Sequence, residues 1–460
     1  MRKTTLSITS PLLVISLLLS ACGATPTQAP AATEAPQATE APQATEAPQA
    51  TEAPQPTEAP TTAPVVEEKI TLTWLILEFW NPDQTIAAYQ AEHPNIVIQA
   101  EKVGFADLFQ QNQIRLGAGD GSPDIVSVDA PLTASYGARN WLYPLDDVFT
   151  AEDKQAWVAG ALEAGSYNGQ LLAAPQHTST QLLFYNKAML ADAGITPPGE
   201  DERWTWEQVA EAAKTLTHDD VYGFNWEQTT ATYQLLPLPE SLGGKAIGDD
   251  GFTVDGVVNS PEWVKAFTFY GDAFNKDGYA PKSDTAVADM FRAGQLAMFV
   301  GGSWNNLVFN WGPLDFEWGV SRMPYFEGGE AVIPTGSWQF GVNAKSAHPQ
   351  EAAEFLRWLS AGKGASIWWG KDSYDMPAQT AIIDSFSTLS DFDNPPLAYM
   401  RVAAREALVN PVPRPVTVGY LEYEQLLNAA FKDIRNGADP AEALNTAAQR
   451  ITEEMAKYQR

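Results

Sequence analysis

Cysteine is nearly absent: the 460-residue chain has one, so no disulfide can form within it and no thiolate cluster can hold zinc. Histidine is almost as scarce, with four residues (His93, His177, His218, His348) far apart and none in His-Glu-x-x-His spacing. Basic residues are in short supply, 28 against 57 acidic ones, for a formal net charge of −29. A surface so depleted in Lys and Arg repels phosphate backbones, which excludes a nucleic-acid partner, and no polybasic patch exists to bind anionic lipid. Apart from the N-terminus, no apolar run is long enough to span a bilayer.

Aromatics are plentiful: 15 Trp, 15 Tyr and 20 Phe supply flat apolar surface for a core, a ligand site, or both. Arg2 and Lys3 precede a short apolar run from Leu6 to Leu19, the pattern of a secretory signal. The run ends in Leu19-Ser20-Ala21-Cys22, which resembles a bacterial lipoprotein signal. That resemblance implies removal of residues 1–21 and lipidation of Cys22. Within residues 22–69, the stretch from Thr33 to Pro64 repeats Ala-Thr-Glu-Ala-Pro-Gln, with Pro36, Pro42, Pro48 and Pro54 marking a six-residue period. Residues 22–69 have too little apolar surface to offset the entropy of folding, so they are expected to be a disordered, semi-stiff tether. Fully extended it would reach on the order of 140 Å at ~3.1 Å per residue.

From Ile70 to Arg460 the pattern is that of an α/β domain. Ile70-Thr-Leu-Thr-Trp-Leu-Ile-Leu77 and Asp124-Ile-Val-Ser-Val128 read as buried strands, and Ile96 to Ile98 as another. A helix is expected from Asp83 to His93-Pro94, and Phe105, Leu108, Phe109 and Leu116 share one face of the next. The alternation predicts a largely parallel sheet. Thr205-Trp-Glu-Gln208 fits a capping box, Ser260-Pro261 a helix start, and Asp439-Pro-Ala-Glu442 a cap for the last helix. Gly117-Ala-Gly119 reads as a helix stop, and Asp249-Asp250-Gly251 as a polar turn. About 390 residues exceed one comfortable core, so two lobes are expected.

No strong catalytic constellation emerges. Gly117–Gly121 lacks the Lys-Ser/Thr of a phosphate loop, and Gly301-Gly-Ser-Trp-Asn305 lacks the last Gly of a nucleophile elbow. No cofactor is implied. In α/β sheets, ligands bind beyond the carboxyl ends of strands. Trp80 follows the first strand, Asp129 follows Val128, and Trp304 follows the apolar stretch Leu296–Val300 through Gly301-Gly302, with Ser303 placed to cap a short helix. Trp338, Tyr374 and Tyr420 are further candidates, each equally readable as core. His177 sits at an expected lobe crossover, where it reads equally as a ligand donor or a packed hinge residue. Trp74, Trp206 and Trp263 fall on core patterns.

An ordered set of motifs resembles the extracellular solute-binding protein family 1, the sugar-capturing lipoproteins of ABC importers related to maltose-binding protein. It includes Ala91-Glu-His-Pro-Asn-Ile96, Leu116-Gly-Ala-Gly-Asp120, Ser122-Pro-Asp-Ile-Val126, Leu142-Tyr-Pro-Leu-Asp146, Tyr167-Asn-Gly-Gln170, Phe184-Tyr-Asn-Lys187, Phe291-Arg-Ala-Gly294 and Ala297–Trp304. The resemblance implies a two-lobed, hinged fold of the type II periplasmic-binding-protein kind. Lobe 1 would hold about 70–178 and 323–366, and lobe 2 about 181–320 and 370–460. It implies a carbohydrate ligand, ABC permease subunits as partners, a monomer, and an extracytoplasmic location with Cys22 anchored in a bacterial membrane. In related sugar binders the Trp matching Trp304 stacks on a sugar ring, and the position of Asp129 often supplies a polar contact. Ser179 stands where maltose-binding protein has a carboxylate, and Glu424 or Gln425 where it has a Trp. Two other classes stay open on the residues alone: an anchored glycoside hydrolase and a ligand-binding partner of a membrane sensor.

Overall fold

The computed structural model describes residues 69–372 and 375–459. The signal segment, Cys22, the tether and Tyr374 lie outside the described residues. No helix among the described residues is long and apolar enough to cross a membrane.

In chain order the strands are β1 (Ile70–Leu77), β2 (Ile96–Val103), β3 (Ile125–Asp129), β4 (Ser166–Tyr167), β5 (Gln170–Leu171), β6 (Ala173–Pro175) and β7 (Gln181–Asn186). They continue as β8 (Tyr222–Trp226), β9 (Leu296–Gly302), β10 (Trp318–Arg322), β11 (Ile333–Thr335), β12 (Trp338–Val342) and β13 (Pro411–Pro413). Two main sheets result, one in the order β2-β1-β3-β12-β6 and one in the order β10-β7-β9-β8.

The apolar run of β1 is buried because helices cover both faces of its sheet. It pairs in parallel with β2 and β3. Most strands of each main sheet run the same way, as the strand–helix alternation predicted, and one strand in each is reversed. β12 runs antiparallel to both β3 and β6, and β7 runs antiparallel to both β9 and β10. The two reversed strands lie at the crossings: β7 follows the segment that leaves the first sheet, and β12 follows the segment that returns to it.

Local signals act as the sequence suggests. Thr205 and Gln208 form the reciprocal capping box of the helix Trp206–Leu216. The Asp439 carboxylate accepts the Glu442 N–H at 3.0 Å. Gly119, at φ 71°, ends the helix Phe105–Ala118 in the left-handed region. The helix Pro261–Asn275 buries Trp263, Ala266, Phe267, Tyr270 and Phe274, and Phe267 stacks on Phe431 at 4.3 Å. In the first lobe Trp74 meets Phe340 and Phe355 edge-on at 4.9 and 5.5 Å. Burial of each such ring contributes roughly 1.5–3 kcal/mol, and each edge contact about 0.5–1.5 kcal/mol more.

Three crossing segments meet between the sheets. Residues 176–180 are buried, and the Gln176 and His177 N–H groups both donate to the Trp338 carbonyl. The Thr178 N–H donates to the Met376 carbonyl at 2.8 Å, and the Thr178 and Thr335 hydroxyls pair at 2.8 Å. Residues 323–329, expected in the first lobe, pack on the second instead. Trp206 N–H donates to the Tyr325 carbonyl, and Phe326 lies edge-on to Phe269 at 5.2 Å. Phe326 is 2% exposed there, because its ring joins the aromatic cluster of Phe269 and Trp206.

Candidate functional site

Strand ends from both sheets converge on one cavity of about 540 Å³. The chain leaving β1 supplies Phe79 and Trp80, β3 ends on Asp129, β9 is followed by Ser303 and Trp304, and Trp338 opens β12. Thr178 and Ser179 of the first crossing segment form its floor. This is the strand-end crevice that open α/β sheets offer to ligands.

Trp304 is held by a carboxylate. Its indole N–H donates to Glu227 Oε1 at 2.9 Å, and the Gly302 N–H donates to Glu227 Oε2 at 2.9 Å. Tyr233 lies 5.9 Å from the indole and donates its hydroxyl proton to Ser179 Oγ at 2.8 Å, which in turn donates to the Gly336 carbonyl. Two local expectations need correction. Gly301 and Gly302 belong to β9 and the chain turns only after them, and no Ser303 side-chain bond caps the helix Asn305–Trp311. The indole takes its direction from Glu227.

Trp80 mirrors this arrangement on the first sheet. It is 2% exposed, and its N–H donates to Asp375 Oδ2 at 3.2 Å. Trp338 stands edge-on to it at 5.8 Å. Burial pushes the Glu227 and Asp375 carboxyl pKa values up, and their indole donors offset part of that.

Asp129 lines the cavity, but both of its oxygens are engaged. Arg414 donates to Oδ2 from Nη1 at 2.9 Å and to Oδ1 from Nη2. The guanidinium also sits over the rings of Tyr233 at 5.2 Å and Tyr420 at 5.8 Å. Arg414 is the one cation among the described lining residues, and this pair consumes it.

Two sequence candidates are not at the cavity surface. His177 is 1% exposed and lies tilted against Trp80 at 5.1 Å, with Nε2 accepting the Trp368 indole N–H at 2.8 Å. Burial pulls its pKa down to about 3, so it is a neutral packing residue of the hinge. Tyr420 is fully buried behind Arg414, with its hydroxyl donating to Glu424 Oε1 at 3.0 Å. Phe105, read from the sequence as sharing one helix face with Leu108, Phe109 and Leu116, is 54% exposed at the cavity mouth together with Phe79 and Trp311.

Glu227, Tyr233, Asp375 and Arg414 escaped the sequence reading. Glu227 was within reach, since it follows a strand (Tyr222–Trp226) just as Trp80 and Asp129 do. Arg414 carries one weak signal, a lone basic residue within Pro411-Val-Pro-Arg-Pro415.

Two α/β lobes joined by crossing segments, with an aromatic cavity at the strand ends of both, define a two-lobed solute-binding protein. The same fold is found in an ABC substrate-binding protein from Listeria monocytogenes in complex with cycloalternan. It matches with a TM-score of 0.75 and 22% identity over 85% of this chain and 100% of that one. A solute-binding protein from Thermotoga lettingae bound with α-D-tagatose matches with a TM-score of 0.72 and 23% identity over 83% and 99%. The bacterial extracellular solute-binding protein family matches residues 81–365, and the chain belongs to it. That is a family of extracytoplasmic binding proteins, not of enzymes. Its sequence relatives include a probable ABC transporter-binding protein of Deinococcus radiodurans, 24% identical over 74% of this chain and 81% of the relative. They also include the sn-glycerol-3-phosphate-binding periplasmic protein of Escherichia coli, 26% identical over 82% and 90%.

Proposed function

We propose that this chain is the binding component of an ABC importer, that it captures a sugar or oligosaccharide between its lobes, and that it delivers the sugar to the permease. The observation that carries the reading is the cavity wall. Trp304 and Trp338 present partly exposed indoles from the two sheets, with the buried Trp80 edge-on against Trp338, matching the apolar C–H faces of sugar rings, while Gln228 and Ser337 offer uncharged hydrogen-bonding groups. A phosphate ester, the ligand of one set of relatives, fits this wall poorly. The described lining has one cation, already spent on Asp129, and carboxylates stand at Asp129 and Asp375. Turnover is not needed to account for these carboxylates, because Asp375 accepts the Trp80 indole N–H and Asp129 balances Arg414.

The finer reading places the protein outside the cytoplasm as a monomer. Residues 1–21 would be a cleaved signal, Cys22 the lipid anchor and 22–69 the tether. Membership of the two sheets supports a first lobe that includes 70–129, 173–175 and 338–342 and a second that includes 181–186, 222–226, 296–302 and 318–322. Trp368 packs with the first core and Trp369 with Phe386 and Phe392 of the second.

Tryptophan fluorescence and calorimetry of residues 66–460, which form one compact unit, test the reading. The ligands would be maltotetraose, α-D-tagatose and sn-glycerol-3-phosphate. Saturable binding of a saccharide, and none of the phosphate ester, is expected. Binding of the ester alone would overturn it.

A further inference from the structure

We infer that Glu227 is a positioning residue: it does not line the cavity, and it sets the plane of the Trp304 indole that does. The inference rests on the proposed role of Trp304 as a sugar-stacking ring.

Glu227 ends the β8 edge of the second sheet, with its own N–H donating to the Val300 carbonyl at 2.9 Å. From there its carboxylate spans the neighbouring β9 turn. One oxygen takes the Gly302 backbone N–H and the other takes the Trp304 indole N–H, so strand and side chain are clamped by one group. The packing around the clamp requires glycine twice. A Cβ at Gly301 would lie 2.7 Å from Glu227 Oε2, and one at Gly302 would lie 2.2 Å from the Trp304 ring. Both side chains therefore lie directly against bare backbone. Tyr233 flanks the indole at 5.9 Å and is itself tied to Ser179 of the crossing segment. Glu227 is absent from the cavity wall, while its chain neighbour Gln228 is part of it. The carboxylate thus reaches a ligand only through the indole.

An indole without this acceptor would rotate about its two side-chain torsions and would have to be ordered when ligand binds. Ordering one such side chain corresponds to a loss of roughly 3- to 10-fold in affinity. The conservative change Glu227→Gln keeps an oxygen to accept the indole N–H but cannot accept from both donors at once. Glu227→Ala keeps neither acceptor.

The test uses the full chain, ¹⁵N-labelled, with Trp304→Phe to assign the Trp304 indole resonance. In Glu227→Ala this resonance should shift upfield and exchange with solvent faster, and Glu227→Gln should restore most of both properties. Maltotetraose affinity should fall roughly 3- to 10-fold in Glu227→Ala, recover in Glu227→Gln, and show no further loss when Glu227→Ala is added to Trp304→Phe. An unchanged indole resonance in Glu227→Ala would overturn the inference, whatever the affinities. A shifted resonance with Trp304→Ala binding maltotetraose as wild type would leave the clamp standing but remove the stacking role. The two ideas therefore fail separately.

Discussion

Trp304 shows how a single side chain can be read as core or as ligand surface, and how the two are told apart. It is only partly buried, unlike Trp74, Trp206 and Trp263. Trp304→Ala should therefore weaken saccharide binding by about 1–3 kcal/mol while the melting temperature changes little. A large fall in melting temperature with unchanged affinity would return the residue to the core. His177 illustrates the opposite case. Its pKa in the folded chain is about 3, because burial disfavours the imidazolium. The unfolded chain takes up that proton near pH ~6.5. Between those values the unfolded state holds more protons, so stability falls as pH drops through the window. His177→Gln still offers an acceptor to Trp368 but does not titrate. Denaturant unfolding at pH 7 and pH 4.5 should show a smaller loss in the variant than in the wild type; equal losses would remove His177 as the cause.

At the level of elements, the link that matters most joins the end of β3 to the chain leaving β13. The Asp129–Arg414 pair is bidentate and largely shielded, with side-chain exposures of 12% and 9%. Removing one partner leaves a buried charge without its counter-ion, which typically costs about 3–5 kcal/mol. Arg414→Met should destabilise the protein by that order, and adding Asp129→Asn should recover part of the loss. An additive double mutant in chemical unfolding would mean that the two charges do not depend on each other. The pair also explains why Asp129 was only half legible as a site residue. Its place at a strand end follows from the alternation of β and α patterns. Its engagement by Arg414, 285 positions later, depends on a contact with no local signature.

On the scale of the whole molecule, ligand bound between two lobes should draw them together. Solution scattering of residues 66–460 should show a smaller radius of gyration with saturating saccharide. An unchanged curve with tightly bound ligand would argue against closure. The proposed anchor makes a separate prediction. Cys22 is the only thiol in the chain. Cys22→Ser should leave the protein unprocessed or release it from the membrane fraction, and wild-type processing and fractionation of the variant would sink the lipid assignment.

The α/β class, the helix caps at Thr205 and Asp439, the stop at Gly119 and the apolar faces of the long helices were all present in the sequence. They arise from interactions within a few residues, where chain geometry leaves little choice. Tertiary structure decided what depends on distant partners. The reversed entry of β12, the packing of Phe326 on the second lobe, the exposure of Phe105 and the burial of His177 are examples. So are the carboxylates that hold Trp80 and Trp304, which lie 295 and 77 positions away from the indoles they orient. A periodic pattern tells that a face is apolar, but not whether protein or ligand will cover it. The answer depends on where the strand ends of both sheets converge, which no local pattern encodes.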